Sequence, residues 1–324
     1  MERLLAVVVG VLQVLIASAG SYADNHLLSR IAFGSCANQS APQPIWDAIN
    51  KFDPQVFIWL GDNIYGDIRQ PFKILGKERT IGPWKNVRRF VPSSHSQMLS
   101  RYNMAKNIPG YSRLRANAKV IGTWDDHDYG LNDAGKEFSE KITNQRLLLD
   151  FLDEPQDSPR RKQAGVYTSY TLGPPGKQVK IILLDTRYHR DPISSDGSVL
   201  GESQWSWLGK ELRGPPSTIT IIGSSIQVIS NLSATTGPLF YMESWGRFPK
   251  ERNRLFELQA QNSTIKVRQD RRHCSLEVML PWIVKYRLAI LVYSVLALLL
   301  LALVGLIYAA TIVCRMCLSK CKID

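Results

Sequence analysis

Three apolar segments of the chain each run directly into polar residues, and this pattern constrains the fold more than any other feature. With the residues that follow them, the segments occupy positions 30–36, 56–65 and 119–128. Short apolar runs bounded by glycine are typical of buried strands in parallel sheets. Open α/β sheets bind their ligands beyond the carboxyl ends of such strands. We therefore expect a thiol, carboxylates, a phenol and an imidazole to converge on one sheet edge, as in a metal site.

Strand and helix patterns alternate over residues 28–258. Strands are predicted at 31–33, 56–60, 119–123, 165–172, 178–185 and 218–223. Helices are predicted at 44–51, 96–106, 136–152, 203–212 and 250–258, and a basic loop at 67–94. A Gly-Pro-Pro-Gly turn at 173–176 predicts a hairpin between the strands on either side of it. This alternation, interrupted by a hairpin, favours a layered α/β or α+β domain.

Residues 1–23 have the pattern of a secretory signal peptide. Arg3 precedes an apolar stretch at 4–17, and small residues follow at 18–20. The stretch is short for a membrane span, although an uncleaved N-terminal anchor is the alternative. A signal peptide would place the domain on the lumenal or extracellular side of a membrane.

Residues 288–313 are 26 consecutive residues without a charge. About 20 apolar residues span the hydrocarbon core, so a transmembrane helix is predicted, with a buried soluble helix as the alternative. Basic residues flank both ends of the segment in similar number, so their distribution does not predict the orientation of the helix in the membrane. The signal peptide predicts the orientation instead, and it makes residues 314–324 a cytosolic tail.

Residues 259–287 are basic and polar and are predicted to form a juxtamembrane stalk. Asn231 and Asn262 begin N-glycosylation sequons, which suit a domain in the secretory pathway.

The predicted tail carries two further signals. Cys317 and Cys321 follow the apolar segment closely and are candidates for S-palmitoylation. Lys320 and Lys322 resemble a dilysine retrieval signal, which would return the protein to the endoplasmic reticulum.

The chain carries a formal net charge of +12 at pH 7. Its basic residues are dispersed, with no stripe that alternates them with aromatic residues, and a secretory route separates the chain from genomic DNA. Nucleic acid is therefore not an expected partner. The charge favours anionic substrates or lipid headgroups, and an ordinary solvated surface is the simpler alternative.

The residues after the first two strands suit metal ions. A carboxylate such as Asp62 can bridge two cations, and Gly61 lets the backbone turn sharply before it. Cys36 would bind as a thiolate, and Tyr65 as a phenolate to a strongly Lewis-acidic ion such as ferric iron. The alternative is that Asp62 caps a helix and Tyr65 packs in the core.

The run Asp125-Asp126-His127-Asp128 strengthens the metal interpretation. Carboxylates this dense raise one another's pKa and cost stability unless a cation or an arginine neutralises them. Asp126 is the candidate metal ligand, and His127 suits a general acid or a phosphate-binding group. A solvated acidic turn is the alternative.

Four motifs resemble those of PhoD-like alkaline phosphatases, which belong to the metallophosphoesterase superfamily. They are Phe33-Gly34-Ser35-Cys36, Leu60-Gly61-Asp62-Asn63-Ile64-Tyr65, Trp124-Asp125-Asp126-His127-Asp128 and Leu184-Asp185-Thr186-Arg187, in the family's order. The resemblance covers residues 30–258. It implies a four-layer α/β/β/α sandwich with metals above the strand ends. It also implies iron and calcium as the cofactors, and hydrolysis of phosphate monoesters or diesters as the reaction.

By the same resemblance, Cys36 and Tyr65 would bind the iron and Asp62 would lie on or between the metals. Asp126 takes the place of the asparagine in the superfamily's Asn-His motif, with His127 beside it. Clustered cations would supply a metal-activated water and offset the charge of the phosphoryl oxygens.

Arg187 is a candidate to hold a phosphate oxygen bidentately. A structural salt bridge to Asp185 is the alternative.

The sequence departs from the family pattern after residue 258. Family members continue into a strand that ends in a Gly-Asp-Val-His-like motif, which completes the metal centre, and this chain has no such segment. The sandwich is therefore expected to be incomplete in its C-terminal part. A shortened splice product, an incorrect gene model or natural loss of catalysis would each explain this.

The leading hypothesis is a membrane-anchored, metal-dependent phosphoric ester hydrolase acting on the lumenal or extracellular side. The alternative is a truncated or inactive relative that serves as a membrane-anchored binding protein.

Overall fold

Two three-stranded sheets form the centre of the fold in the part of the chain that the computed structural model describes. That part comprises residues 26–78, 89–193, 197–229 and 243–261. The chain divides into two units after Val267, and every described residue lies in the first unit.

The first sheet is entirely parallel, with the order β1-β2-β7. Its strands are β1 (Ile31–Gly34), β2 (Val56–Leu60) and β7 (Lys119–Thr123). In the central strand, Val56 pairs with Ile31 on one side and with Lys119 on the other. All three strands therefore end at the same edge. The strands predicted at 31–33, 56–60 and 119–123 are confirmed, with β1 one residue longer.

The second sheet has the order β10-β9-β8. Its strands are β8 (Thr168–Leu172), β9 (Val179–Leu183) and β10 (Ile219–Gly223). The central strand β9 runs antiparallel to β8 and parallel to β10. The predicted hairpin is confirmed, since Gly173 and Gly176 in its turn adopt φ values of 98° and 79° that other residues rarely adopt.

The remaining regular elements within the described residues are seven α-helices, two 3-10 helices (Pro159–Arg161 and Trp245–Arg247) and four two-residue strands. The helices are α1 (Ile45–Phe52), α2 (His95–Lys106), α3 (Pro109–Asn117), α4 (Asp126–Tyr129), α5 (Lys141–Phe151), α6 (Gly201–Arg213) and α7 (Pro249–Ala260). The short strands are β3 (Ile68–Arg69), β4 (Lys73–Ile74), β5 (Lys77–Glu78) and β6 (Phe90–Val91), where β3 pairs with β6 and β4 with β5.

The two sheets pack face to face through an apolar layer. Ile58 and Ile121 from the first sheet lie in one buried cluster with Ile181 and Leu183 from the second. Burial of these branched side chains on both faces explains why the central strands have almost no polar residues.

Helices cover the outer face of each sheet. On the first sheet, Trp59 lies in one core with Tyr102 of α2 and Leu148 of α5. On the second sheet, Ile182 shares a core with Leu208 of α6. The described residues thus form a mixed α/β fold, as predicted.

Helix α7 extends two residues beyond the predicted end at 258 and enters the predicted stalk. Among the described residues, no helix is long and apolar enough to cross a membrane. The other calls outside the domain fall on residues that are not described: 1–23, 262–287, 288–313, 314–324, Asn231, Asn262, Cys317 and Cys321.

Candidate metal centre

The common edge of β1, β2 and β7 brings the predicted site residues together. Just beyond the strands, the backbone N–H groups of Cys36 and Ala37 donate to the carbonyl oxygens of Gly61 (3.3 Å) and Asp62 (3.0 Å). The loop after β1 is therefore bound to the turn after β2. A segment that carries a thiol is held against a segment that carries a carboxylate.

The turn after β2 can form only because residue 61 is glycine. Gly61 has a φ of +106°, and a Cβ atom there would lie 2.5 Å from the Cβ of Asp125. Asp62 and Cys36 also have positive φ values, 50° and 59°. A non-glycine residue in this region costs on the order of 1 kcal/mol, and such residues cluster at functional sites. The backbone strain therefore falls on two of the predicted ligands.

Asp62, Asp126 and His127 form the centre of the site. One ligand atom from each lies within 4.8 Å of the others, and all three residues are buried. The backbone N–H of His127 donates to Asp126 at 2.9 Å. Burial and the negative charges of Asp126, Asp125 and Asp128 raise the pKa of Asp62 well above its ordinary value. A cation would offset this repulsion, so the donor set fits a metal ion.

Asp128 supports the backbone of the site. Its carboxylate accepts N–H groups from Asp125 (2.7 Å), Asn63 (3.1 Å) and Asp62 (3.3 Å). Burial raises the pKa of Asp128 to about 8, although these hydrogen bonds favour the charged form. The side chain joins the turn after β2 to the start of α4.

Tyr65 and Cys36 lie on the same side of the centre. The phenol of Tyr65 is hydrogen-bonded to the Cys36 side chain, and its ring centroid lies 4.4 Å from that of His127. Burial and the charge of Asp62 raise the pKa of Tyr65. Only a strongly Lewis-acidic ion would convert this phenol to a phenolate.

His127 contacts an acid that the sequence pattern did not single out. Its Nδ1 lies 2.8 Å from Oδ1 of Asp67. Burial disfavours the imidazolium, but the hydrogen bond to Asp67 and the charges of Asp126 and Asp62 outweigh it and raise the pKa of His127 to about 10.

Arg187 is buried at the rim of the acidic group and is held by two carboxylates. Its Nε donates to Asp125 at 2.7 Å, and its guanidinium lies 2.6 Å from Glu243. Asp185 pairs instead with the backbone, accepting the N–H of Arg187 at 2.8 Å. The alternative for Arg187 was a structural salt bridge to Asp185. Arg187 does form structural salt bridges, but with Asp125 and Glu243. The phosphate role of Arg187 stays a prediction.

Asp126 also belongs to a second acidic group, with Asp133 and Glu243. Arginines already compensate this group: Nε of Arg190 lies 2.9 Å from Glu243, although the two atoms are not aligned for a hydrogen bond. Burial and the charges of Glu243 and Asp126 raise the pKa of Asp133 to about 7. The group around Asp62 is therefore the better candidate to hold a cation.

Sequence reasoning missed Asp67, Asp133, Arg190 and Glu243. Asp67 and Asp133 lie in loops, without a preceding apolar strand to mark them. Arg190 follows Arg187 by three residues in irregular chain, and Glu243 comes from a distant part of the chain. A regular spacing links none of them to the strand ends, so no local signal identifies them.

Comparisons with known proteins bear on the family and the fold. No curated protein matches the chain. The solved structure of PhoD superposes with a TM-score of 0.57 at 19% sequence identity, over 74% of this chain and 50% of that chain. The chain thus spans about half the length of that protein, and the likeness shows the fold. A sequence model of the PhoD-like phosphatases matches residues 31–267, more than two thirds of the chain. The chain belongs to the PhoD-like phosphatase family.

Proposed function

We propose that this chain is a metal-dependent phosphoric ester hydrolase. The observation that carries the proposal is the convergence of Cys36, Asp62, Tyr65, Asp126 and His127 at the shared edge of three parallel strands. Membership of a phosphatase family supports the reaction class.

The residues have separable roles in this proposal. Asp62 and Asp126 hold the cation. Cys36 and Tyr65 are the proposed ligands of an iron ion, and calcium is proposed as a further metal. A bound metal of this kind lowers the pKa of water and stabilises charge on phosphoryl oxygens.

His127 is the proposed general acid. A water oxygen bonds to phosphorus and loses one proton as the ester P–O bond breaks, and His127 donates a proton from Nε2 to the departing alkoxide. The proton that the water loses then restores His127. The products are an alcohol and a phosphate. Arg187, held by Asp125 and Glu243, would orient a phosphoryl oxygen.

The test measures metal content and hydrolysis of p-nitrophenyl phosphate and bis(p-nitrophenyl) phosphate by the full chain in neutral detergent. We expect bound iron in about stoichiometric amount, and a loss of kcat on the order of 100-fold in Asp62→Asn. Glu202→Gln is the matched control, because Glu202 is an exposed acid that pairs only at the surface with Arg254. A folded, metal-free and inactive wild-type chain would overturn the proposal and favour a binding protein instead.

We also propose the membrane topology that the sequence predicts. The packed sheets with helices outside them support a four-layer α/β/β/α sandwich, which the apolar segment 288–313 would anchor with the domain in the lumen or outside the cell. Replacement of both Lys320 and Lys322 by serine should move the protein from the endoplasmic reticulum to the cell surface, as seen by surface biotinylation. An unchanged distribution would argue against retrieval.

A further inference from the structure

The contact between His127 and Asp67 is more constrained than an ordinary ion pair. The side chain of Asp67 is only 1% exposed, and its Oδ1 lies 2.8 Å from Nδ1 of His127. Its second oxygen, Oδ2, accepts the backbone N–H of Asn132 at 2.9 Å. Both oxygens are thus engaged, and the carboxylate cannot turn away without leaving a buried donor unpaired.

The imidazole is also fixed by its faces. The ring of Tyr65 lies 4.4 Å from it and the ring of Phe90 lies 5.3 Å from it, centroid to centroid. Phe90 belongs to β6, which pairs with β3 directly after Asp67. One small ribbon therefore supplies both the carboxylate at the edge of the imidazole and an aromatic ring beside it.

We propose that Asp67 is a positioning residue for His127. By accepting the hydrogen on Nδ1, its carboxylate fixes the ring orientation and leaves Nε2 as the nitrogen that meets the leaving group. This inference rests on the proposed function, because it assigns the role of Asp67 in that same site. The competing explanation is that Asp67 merely joins the loop after Gly66 to the loop at Asn132.

The kinetic test separates these two roles through a double-mutant cycle in the full chain. With p-nitrophenyl phosphate as substrate, Asp67→Ala should lower kcat roughly 10- to 100-fold with little change in KM. In a His127→Ala background the same substitution should cause no further loss, because Asp67 acts only through the imidazole. An equal loss in both backgrounds would overturn the positioning role. Glu202→Gln should leave both kinetic constants unchanged.

A spectroscopic test does not depend on activity. In metal-free chain labelled with ¹⁵N-histidine, the hydrogen-bonded Nδ1–H of His127 should give a downfield proton signal that exchanges slowly with water and disappears in Asp67→Ala. His189 provides the reference in the same spectrum, since its Nε2 lies 3.1 Å from the carbonyl oxygen of Ala164 and should be unaffected. Persistence of the His127 signal in Asp67→Ala would overturn the pairing. Absence of hydrolysis by the wild-type chain, with the signal present, would overturn the proposed function and not the pairing.

Discussion

Several carboxyl groups at the strand ends are buried so deeply that their pKa values rise above the ordinary range. Burial raises the pKa of Asp125 to about 7, even though Arg187 beside it favours the charged form. Asp126 is the exception: despite burial, Arg187 and the His127 imidazole hold the pKa of that carboxyl below its ordinary value. One member of the cluster therefore stays ionised and ready for a cation, while its neighbours resist ionisation.

At the residue scale, this imbalance predicts an unusual dependence of stability on pH in the metal-free chain. A carboxyl such as Asp128, with a pKa of about 8 in place of 3.8, binds a proton in the folded state where the unfolded chain has lost it. The free energy of unfolding then falls as pH rises through that window. His127, with its pKa raised from 6.5 to about 10, contributes stability below the lower value that is lost toward the upper one. Both effects have the same sign.

The measurement is urea unfolding with a chelator present. We expect a higher midpoint at about pH 5 than at about pH 8, and a weaker dependence in Asp128→Asn. Glu202→Gln should keep the wild-type dependence. A midpoint that rises between these pH values would contradict the assigned shifts.

At the scale of elements, helix α7 is held to the start of α6 by one buried acid. Glu251 accepts hydrogen bonds from Ser198 Oγ (2.7 Å), the backbone N–H of Val199 (2.9 Å) and Trp205 Nε1 (2.7 Å). Glu251→Ala would leave these buried donors unpaired, so we expect a loss of about 3 kcal/mol in the free energy of unfolding. Glu251→Gln, which keeps one acceptor oxygen, should lose less.

The contrast for Glu251 is the ion pair between Glu202 and Arg254 on the same two helices. It is exposed, so Glu202→Gln should change stability by about 1 kcal/mol or less. Urea unfolding of the three variants measures both effects. Equal losses in Glu251→Ala and Glu202→Gln would show that the buried acid does not hold α7 in place.

The elements also show how far local sequence reasoning reaches. The strands of the first sheet, β9, β10 and the α2 helix, whose Ser94 and Gln97 form a capping box, were predicted within two residues. Strand β8 begins three residues later than predicted. Helix α3, with Pro109 and Gly110 at its start, was not predicted. In the structure Gly110 lets the helix pack closely against Trp46. The strands β3 to β6 were missed because two residues are too few to show a period.

At the scale of the whole molecule, the metal centre joins segments that follow three different strands of the first sheet. Cation binding to the folded state alone should therefore stabilise the whole domain. At about 100 times the dissociation constant, the gain is about 2.7 kcal/mol, which raises Tm by roughly 5 °C or more. Differential scanning fluorimetry before and after chelation measures the shift.

The same measurement has internal controls. Asp62→Asn should abolish the metal-dependent shift in Tm, whereas Glu202→Gln should retain it. A shift of equal size in Asp62→Asn would place the cation elsewhere.

The site as a whole was only partly predictable for a topological reason. Cys36, Asp62, Tyr65, Asp126 and His127 follow parallel strands, and the rule that such strands share one edge suffices to bring them together. The partners that neutralise and orient them, such as Glu243 and Asp67, come from loops whose paths no periodicity fixes. The sequence therefore predicts the candidate metal ligands, but not the residues that neutralise their charge and fix their orientation.

The acidic residues at the strand ends are translated before the arginine that pairs with them. Every strand of the first sheet and every predicted ligand has been made once residue 128 is translated, whereas Arg187 and Glu243 follow much later. A nascent chain that folds its first sheet early thus exposes an acidic cluster whose arginine counterion does not yet exist. In that interval, a dissolved cation has access to the cluster before the arginine has been made.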